Sequence, residues 1–217
     1  MPPNIYIVGA QCTGKTTLVK ALEKHLSSQE IDGVDRGQIT PPTIITELAR
    51  TIMRRHGYDR YDITSKPDRA FELQKLILQG QAEIETKLAL DKAGWYISDR
   101  SGIDPLVYTK LYRGNDGIEE LIKSEPWQLL KEKMRQSVVI VCEAGCDWLV
   151  DDEFRVMPKD GTDEWMQWHY AFLELLRSQR IDYHVIPASM KSIDDRVKAV
   201  LAFLSGFEEK RIPRMEK

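Results

Sequence analysis

The chain has 217 residues, 42% hydrophobic and 30% charged, enough for one substantial core and too few for two independent ones. A formal net charge of −3 gives the surface no broad attraction for nucleic acid or anionic lipid. Three cysteines, Cys12, Cys142 and Cys146, lack the second pair that a zinc site needs, and no apolar run approaches the ~18 residues of a membrane span, so the reading is a soluble, cytoplasmic protein.

Residues 4–9, NIYIVG, are a short continuous apolar run of the kind that makes a strand buried on both faces. A helix is expected from Lys15, with Leu18, Leu22 and Leu26 on one face, fading by 27–28. Residues 29–41 are polar and glycine-bearing and read as a loop. A second strand, PTIITE at 42–47, leads into a helix over 48–56. The longest helix is predicted from 65 to 94, with Ser65 and Asp68 as its capping box, a stripe of Leu73, Leu76, Ile77, Ile84 and Leu88, and Gly94 as its stop. WYISD at 95–99 is the third strand, followed by two or three shorter helices over 103–136. SVVIVCEAG at 137–145 is the clearest buried strand, and the segment 146–163 is acidic and irregular. Trp165, Trp168, Phe172, Leu175 and Leu176 then repeat at helical spacing. DYHVIPA at 182–188 is the fifth strand, and Ile193, Val197, Val200, Leu201 and Leu204 mark the last helix. One domain over 1–206 accounts for all of this, with a charged, loose tail at 207–217. Five strands alternating with helices define an α/β class with a parallel sheet and helices on both faces, a three-layer arrangement.

The most specific chemistry lies at 9–16, which read G-x-x-x-x-G-K-T between a strand and a helix. There the chain must turn sharply around a phosphate, so Gly9 and Gly14 stand where a side chain would collide or a positive φ is needed. Successive backbone N–H groups and the helix N-terminus then face the anion. Lys15 neutralises β- and γ-oxygens, the Thr16 hydroxyl ligates Mg²⁺, and Gln11, Cys12, Thr13 and Thr17 complete the nucleotide-binding set. Cys12 reads as a loop spacer rather than a reactive thiol. The expected ligand is ATP with Mg²⁺, GTP being left open.

A phosphate loop does not name a reaction. The N-K-x-D guanine motif of small GTPases is absent from the sequence. Asp99 instead ends the third strand at the edge where open α/β sheets place ligands, positioned to hold Mg²⁺ or take a proton, and the neighbouring Arg100 can fork onto phosphate. The alternative is an aspartate that caps the next helix, with Arg100 at the surface. Glu47 closes the second strand in the same way, as a general base across the crevice or as an i,i+3 partner of Arg50. Within 146–163, Arg155 is the candidate lid arginine over the γ-phosphate, with Lys159 in reserve and Asp151, Asp152 and Glu153 restraining it; a solvated acidic loop is the other reading. Trp148 and Trp165 are expected to be core. Ser192 and Asp195 make a capping box in the loop that would otherwise contact a base.

Taken together, G-x-x-x-x-G-K-T-T-L, TELAR, FELQKLILQGQ, SDRSGIDPLVY and WLVDDEFR resemble the P-loop family that includes the nicotinamide riboside kinase domains of NAD-metabolism regulators, the AAA-28-like group, and more distantly deoxynucleoside and thymidylate kinases. The likeness runs from residue 4 to about 200. It implies a P-loop NTPase sheet of kinase-type order 2-3-1-4-5, ATP and Mg²⁺ on the loop, and a small acceptor over the third strand. By position it implies Asp99 as the metal or base carboxylate, Arg100 as the phosphate arginine, Arg155 as the lid arginine, and Glu47 in the E-x-x-R at the end of strand two. Gln74 would face the acceptor, although exposed helix surface is the simpler reading of that position. Two functions follow: an ATP- and Mg²⁺-dependent phosphotransferase acting on a nucleoside- or nucleotide-like acceptor, or a nucleotide-binding switch whose lid is read by a partner.

Overall fold

The computed structural model describes residues 2–27, 40–91, 94–146 and 162–211. Five strands form one sheet: β1 (Ile5–Val8), β2 (Thr43–Ile45), β3 (Tyr96–Asp99), β4 (Val138–Cys142) and β5 (His184–Ile186). Their order is β2-β3-β1-β4-β5, and every pairing is parallel, as the resemblance implied. The period-two alternation of a strand decides what each side chain meets. On β1, Tyr6 and Val8 enter one apolar layer, while Ile5 and Ile7 enter the other.

Helices cover both faces. The layer of Ile5 and Ile7 is closed by α1 (Lys15–Ser27), through Leu18, Val19 and Leu22, and by α9 (Ile193–Arg211), through Val197, Val200 and Leu204. On the other face lie α2 (Leu48–His56), α3 (Arg60–Ser65), α4 (Pro67–Leu90), α5 (Ile103–Arg113), α6 (Asn115–Lys123), α7 (Glu125–Arg135) and α8 (Thr162–Ser178), where Trp127, Trp168 and Phe172 are fully buried. Burying such rings contributes roughly 2–3 kcal/mol each. Among the described residues no helix is long and apolar enough to cross a membrane.

Three local expectations change. The capping box falls on Asp59 and Asp62, at the start of α3, and not on Ser65 and Asp68. Ser65 ends α3 because Pro67 forces Lys66 out of helical geometry, so α4 begins at Pro67 with no side-chain cap. That helix stops at Leu90, short of Gly94. At the other end α9 runs to Arg211, so the first part of the expected tail is helical; residues 212–217 lie outside the described residues.

Candidate active site

Strand β1 leads straight into the loop of 9–14. Gly9 has φ +133°, and a Cβ there would stand 2.5 Å from the carbonyl oxygen of Cys142 on the neighbouring strand, so only glycine lets the chain turn this close to β4. Two distant side chains brace the loop from outside. Trp165 Nε1 donates to the carbonyl of Gln11 at 2.9 Å, and Arg196 Nη1 donates to that of Thr13 at 3.0 Å. Those two contacts fix the course of the loop's backbone between β1 and α1.

The loop opens into a cleft of about 440 Å³, lined by Cys12 to Thr17, Glu47, Asp99, Arg100, Lys191, Ile193 and Arg196. Lys15 is buried on its wall, with its ammonium on the carbonyl of Ala10. Burial lowers its pKa to about 8, and the nearby Arg100 adds to the effect. Register places Asp99 opposite Ile7, at the carboxyl edge of the sheet. Its Oδ2 accepts from Thr16 Oγ1 at 2.6 Å. A hydroxyl and a carboxylate converging at the phosphate cleft are the hard oxygen donors that Mg²⁺ takes.

Arg100 follows with φ 85°, a left-handed conformation uncommon for a non-glycine residue, held by its N–H on the carbonyl of Ile7 at 3.0 Å. That twist turns the guanidinium inward between two carboxylates. Nε reaches Glu47 Oε1 at 2.8 Å and Nη1 reaches Asp104 Oδ1 at 3.0 Å. Burial is the largest influence and works against the charge on Arg100, but Glu47, Tyr108, Asp104 and Asp99 together outweigh it, so the group stays fully ionised. In return Arg100 holds Glu47 down at about 2. Asp104 is pushed up by burial, although its Oδ2 accepts the Ser101 N–H at 2.9 Å.

A second, narrower cavity of about 60 Å³ opens on the other side of the Glu47–Arg100 pair. Its walls are apolar at Leu48, Met53, Ile63, Leu73, Ile77 and Pro105, with Arg50, Gln74, Gln81, Ser101, Asp104 and Tyr108 as polar members beside that pair. Trp168 seats Tyr108 by edge packing at 4.6 Å.

Of the expected loop residues, Cys12 to Thr17 line the cleft with Asp99, Glu47 and Arg100, whereas Gly9 and Gln11 do not. Both expected partnerships of Glu47 exist at once, since Oε2 also meets Arg50 Nε at 3.2 Å. Gln74 is 5% exposed and faces the second cavity, so the exposed-surface reading of it is corrected. Trp165 is buried, as expected of core, and braces the loop as well. Ser192 Oγ accepts the Asp195 N–H at 3.3 Å, in keeping with the capping role. Arg155, Lys159, Trp148 and the acidic trio 151–153 lie outside the described residues. Sequence reasoning missed Asp104, Gln81 and Arg196. Asp104 sits within the quoted SDRSGIDPLVY, and Gln81 recurs two turns after Gln74 along α4, which is the signal that could have found it.

The fold and the site together define a P-loop domain of the kinase-type strand order. A sequence model described as AAA domain, AAA-28, matches residues 4–196, and the chain belongs to that family. Among solved structures it is similar to deoxyadenosine kinase from M. mycoides with dCMP and dCDP bound (14% identity, 94% of this chain and 99% of that one, TM-score 0.59). It is also similar to the NadR protein in complex with NR (19% identity, TM-score 0.64), where it is covered fully but spans only 54% of the other chain. Shikimate kinase from Aquifex aeolicus aligns over 94% of this chain and 96% of that one, at 16% identity and TM-score 0.52. No curated protein matches.

Proposed function

We propose that the protein is an ATP-dependent phosphotransferase, requiring Mg²⁺, that moves the γ-phosphoryl group to a hydroxyl of a small nucleoside- or nucleotide-like acceptor. The observation that carries this reading is the shared wall: Glu47 and Arg100 line both the phosphate cleft and the second cavity. A protein that only held a triphosphate would have no use for a second, mostly apolar cavity opening onto the same ion pair. The deoxyadenosine kinase and NadR likenesses support a nucleoside-like acceptor by analogy of fold.

The loop N–H groups and Lys15 hold the β- and γ-phosphates, and the phosphate charge keeps Lys15 protonated against its burial. Thr16 and Asp99 would hold Mg²⁺, which when bound spreads the negative charge of the transferring group. Arg100 lies between cleft and cavity, so its charge acts on the phosphoryl group as it passes. Glu47 accepts the hydrogen bond of the acceptor hydroxyl and orients its oxygen in line with the γ-phosphorus. The new O–P bond forms as the bond to the β-bridging oxygen breaks, and ADP leaves with that electron pair. At about 2, Glu47 is too weak a base to ionise the hydroxyl early; it takes the proton late, once O–P bonding has made the oxygen acidic. Arg155 is proposed as a lid arginine over the γ-phosphate. About 60 Å³ is room for only a few water molecules, so an acceptor enters by widening the gap between α2 and α4.

A metabolite pool incubated with the protein and ATP, and separately with GTP, tests this by mass spectrometry. A product about 80 Da heavier than a pool member is expected. Slow hydrolysis with no such product, and capture of a partner only with a non-hydrolysable triphosphate, would overturn it in favour of a nucleotide switch.

A further inference from the structure

The second cavity rests on a buried carboxylate that phosphoryl transfer does not use. Glu85 on α4 is fully buried beneath the sheet. The hydroxyls of Tyr6 on β1 and Tyr96 on β3 each reach its Oε2 at 2.7 Å and stand 2.6 Å from one another. Three contacts among three oxygens need three hydrogens, and the two phenols supply two. A proton on Oε2 completes the set, in keeping with the way burial pushes Glu85 up against the pull of the Lys133 ammonium 3.9 Å from that oxygen. With Glu85 ionised, or with its proton on Oε2, Oε1 is an acceptor, and it faces one turn back along α4.

There it takes an N–H from Gln81 Nε2 at 2.8 Å. The other N–H of the same amide reaches Ser98 Oγ, on β3, at 3.1 Å. Both hydrogens of Gln81 are engaged away from the cavity that the residue lines, so the group it presents to that cavity is its carbonyl oxygen. An ordinary glutamine can turn its amide over and serve either a donor or an acceptor. This one cannot without setting its oxygen against Glu85 Oε1 and leaving a fully buried carboxyl oxygen unpaired.

We infer that Gln81 determines specificity by demanding an N–H or O–H donor on the part of the acceptor that enters the second cavity, and that Glu85 is the positioning residue that sets its polarity. The inference rests on the proposed role of that cavity. It excludes molecules that offer only a ring C–H, an ether or a ketone at this point, because they leave the Gln81 carbonyl buried and unpaired.

The test pairs nucleosides that differ by one donor and little volume: adenosine with purine riboside, cytidine with pyrimidin-2-one riboside, and nicotinamide riboside with 3-acetylpyridine riboside. Calorimetry is run on the full chain saturated with ADP and Mg²⁺. The expected result is that a parent binds and its donor-less analogue binds roughly 10- to 100-fold more weakly. In Gln81→Met that ratio falls to within about threefold while ADP binding persists, and in Glu85→Gln, whose amide can turn either face to Gln81, it falls part of the way. A purely packing role would lower both affinities and keep the ratio. Equal binding of parent and analogue by the wild type, or an unchanged ratio in Gln81→Met, overturns the inference. A second measurement needs no ligand. In ¹⁵N-labelled protein the side-chain amide of Gln81, assigned by its loss in Gln81→Met, should exchange with solvent about 100-fold or more slowly than a free glutamine amide. Exchange at the free rate overturns the inference and leaves the phosphotransferase reading standing. A protected amide with no parent bound, in protein that binds ADP, overturns the nucleoside reading and the specificity claim with it.

Discussion

Replacing Lys15 by methionine should make the ligand-free protein more stable while removing its grip on the triphosphate. The ammonium is buried, it is held by the carbonyl of Ala10, and among the described residues no carboxylate lies within ion-pair distance. Asp104 and Asp99 act on it only from farther off, and Arg100 opposes its charge. The fall from 10.5 to about 8 corresponds to roughly 3 kcal/mol held against the folded state. Its pH dependence has a definite sign. Below about pH 8 both the folded and unfolded chains carry the proton and the penalty is complete. Between about 8 and 10.5 the unfolded chain binds a proton that the folded chain lacks, so wild-type stability gains with rising pH. Methionine has similar length and no charge, but it removes one of the two donors to the Ala10 carbonyl, leaving Thr13 Oγ1 at 3.0 Å, so the net gain at pH 7 is about 1–3 kcal/mol. For a chain of this size that raises the melting temperature by roughly 3–10 °C. Calorimetric melts in magnesium- and phosphate-free buffer at pH 7, 8, 9 and 10 should show this gap and its closing as pH rises. Adding ATP and Mg²⁺ should raise the wild-type transition and leave that of the variant in place. A variant that melts at or below wild type at pH 7, or a gap that stays constant to pH 10, refutes the reasoning.

Other residues of the site give shorter tests. Asp99→Asn keeps an oxygen for the Thr16 hydroxyl and should spare most ATP binding in a calorimetric titration, while product formation drops roughly 10²-fold or more. Glu47→Gln leaves Arg100 with Asp104 as its one ionic partner in contact among the described residues and should cost about 1–3 kcal/mol in urea denaturation at pH 7. Because Glu47 ionises at about 2 when folded, against 4.5 as the ordinary value, its contribution is present above pH 4.5 and is lost as pH falls toward 2; the difference between variant and wild type should shrink over that window. Gly9→Ala drives a Cβ into the Cys142 carbonyl at a φ that alanine resists, so β1 and β4 must part: a loss above about 3 kcal/mol and no measurable ATP binding are expected.

The architecture was legible where the physics is local. β1 and β4 are continuous apolar runs because helices cover both faces of a parallel sheet, and such runs survive any error of register. The end of α3 is a harder case. Six residues carry less than two helical turns, so no period could announce the helix. Two pairs with capping-box spacing, Asp59 with Asp62 and Ser65 with Asp68, stand in this stretch. Pro67 decides between them, since it bars Lys66 from helical geometry and can itself open a helix without needing the cap. That signal was present in the sequence and outweighed by the length of the pattern that followed it.

The site divides along a similar line. A phosphate loop is a local object: strand, glycine-flanked bend, lysine and helix are consecutive, and spacing alone specifies them. Glu47 with Arg50 is local too, and that ion pair is present. What turns a phosphate loop into a candidate transfer site is not local. Arg100 joins Glu47 across 53 residues and reaches Asp104 in the first turn of α5, and its inward course depends on a left-handed backbone that nothing in the run SDRSG announces. An aspartate in the first turn of a helix already has an adequate explanation in the helix dipole, so Asp104 drew no attention. Gln81 has the ordinary look of a helix-surface residue until Tyr6, Tyr96 and Glu85 assemble behind it from two strands and the same helix. For Arg100 with Glu47, and for Gln81 with Ser98, the residue type was visible and its partner was not, because the partner is supplied by sheet order. Strand order β2-β3-β1 sets Glu47 and Asp99 at neighbouring strand ends beside the loop. Were β2 to pair anywhere else, the loop would still bind phosphate and the ion pair dividing the two cavities would not form.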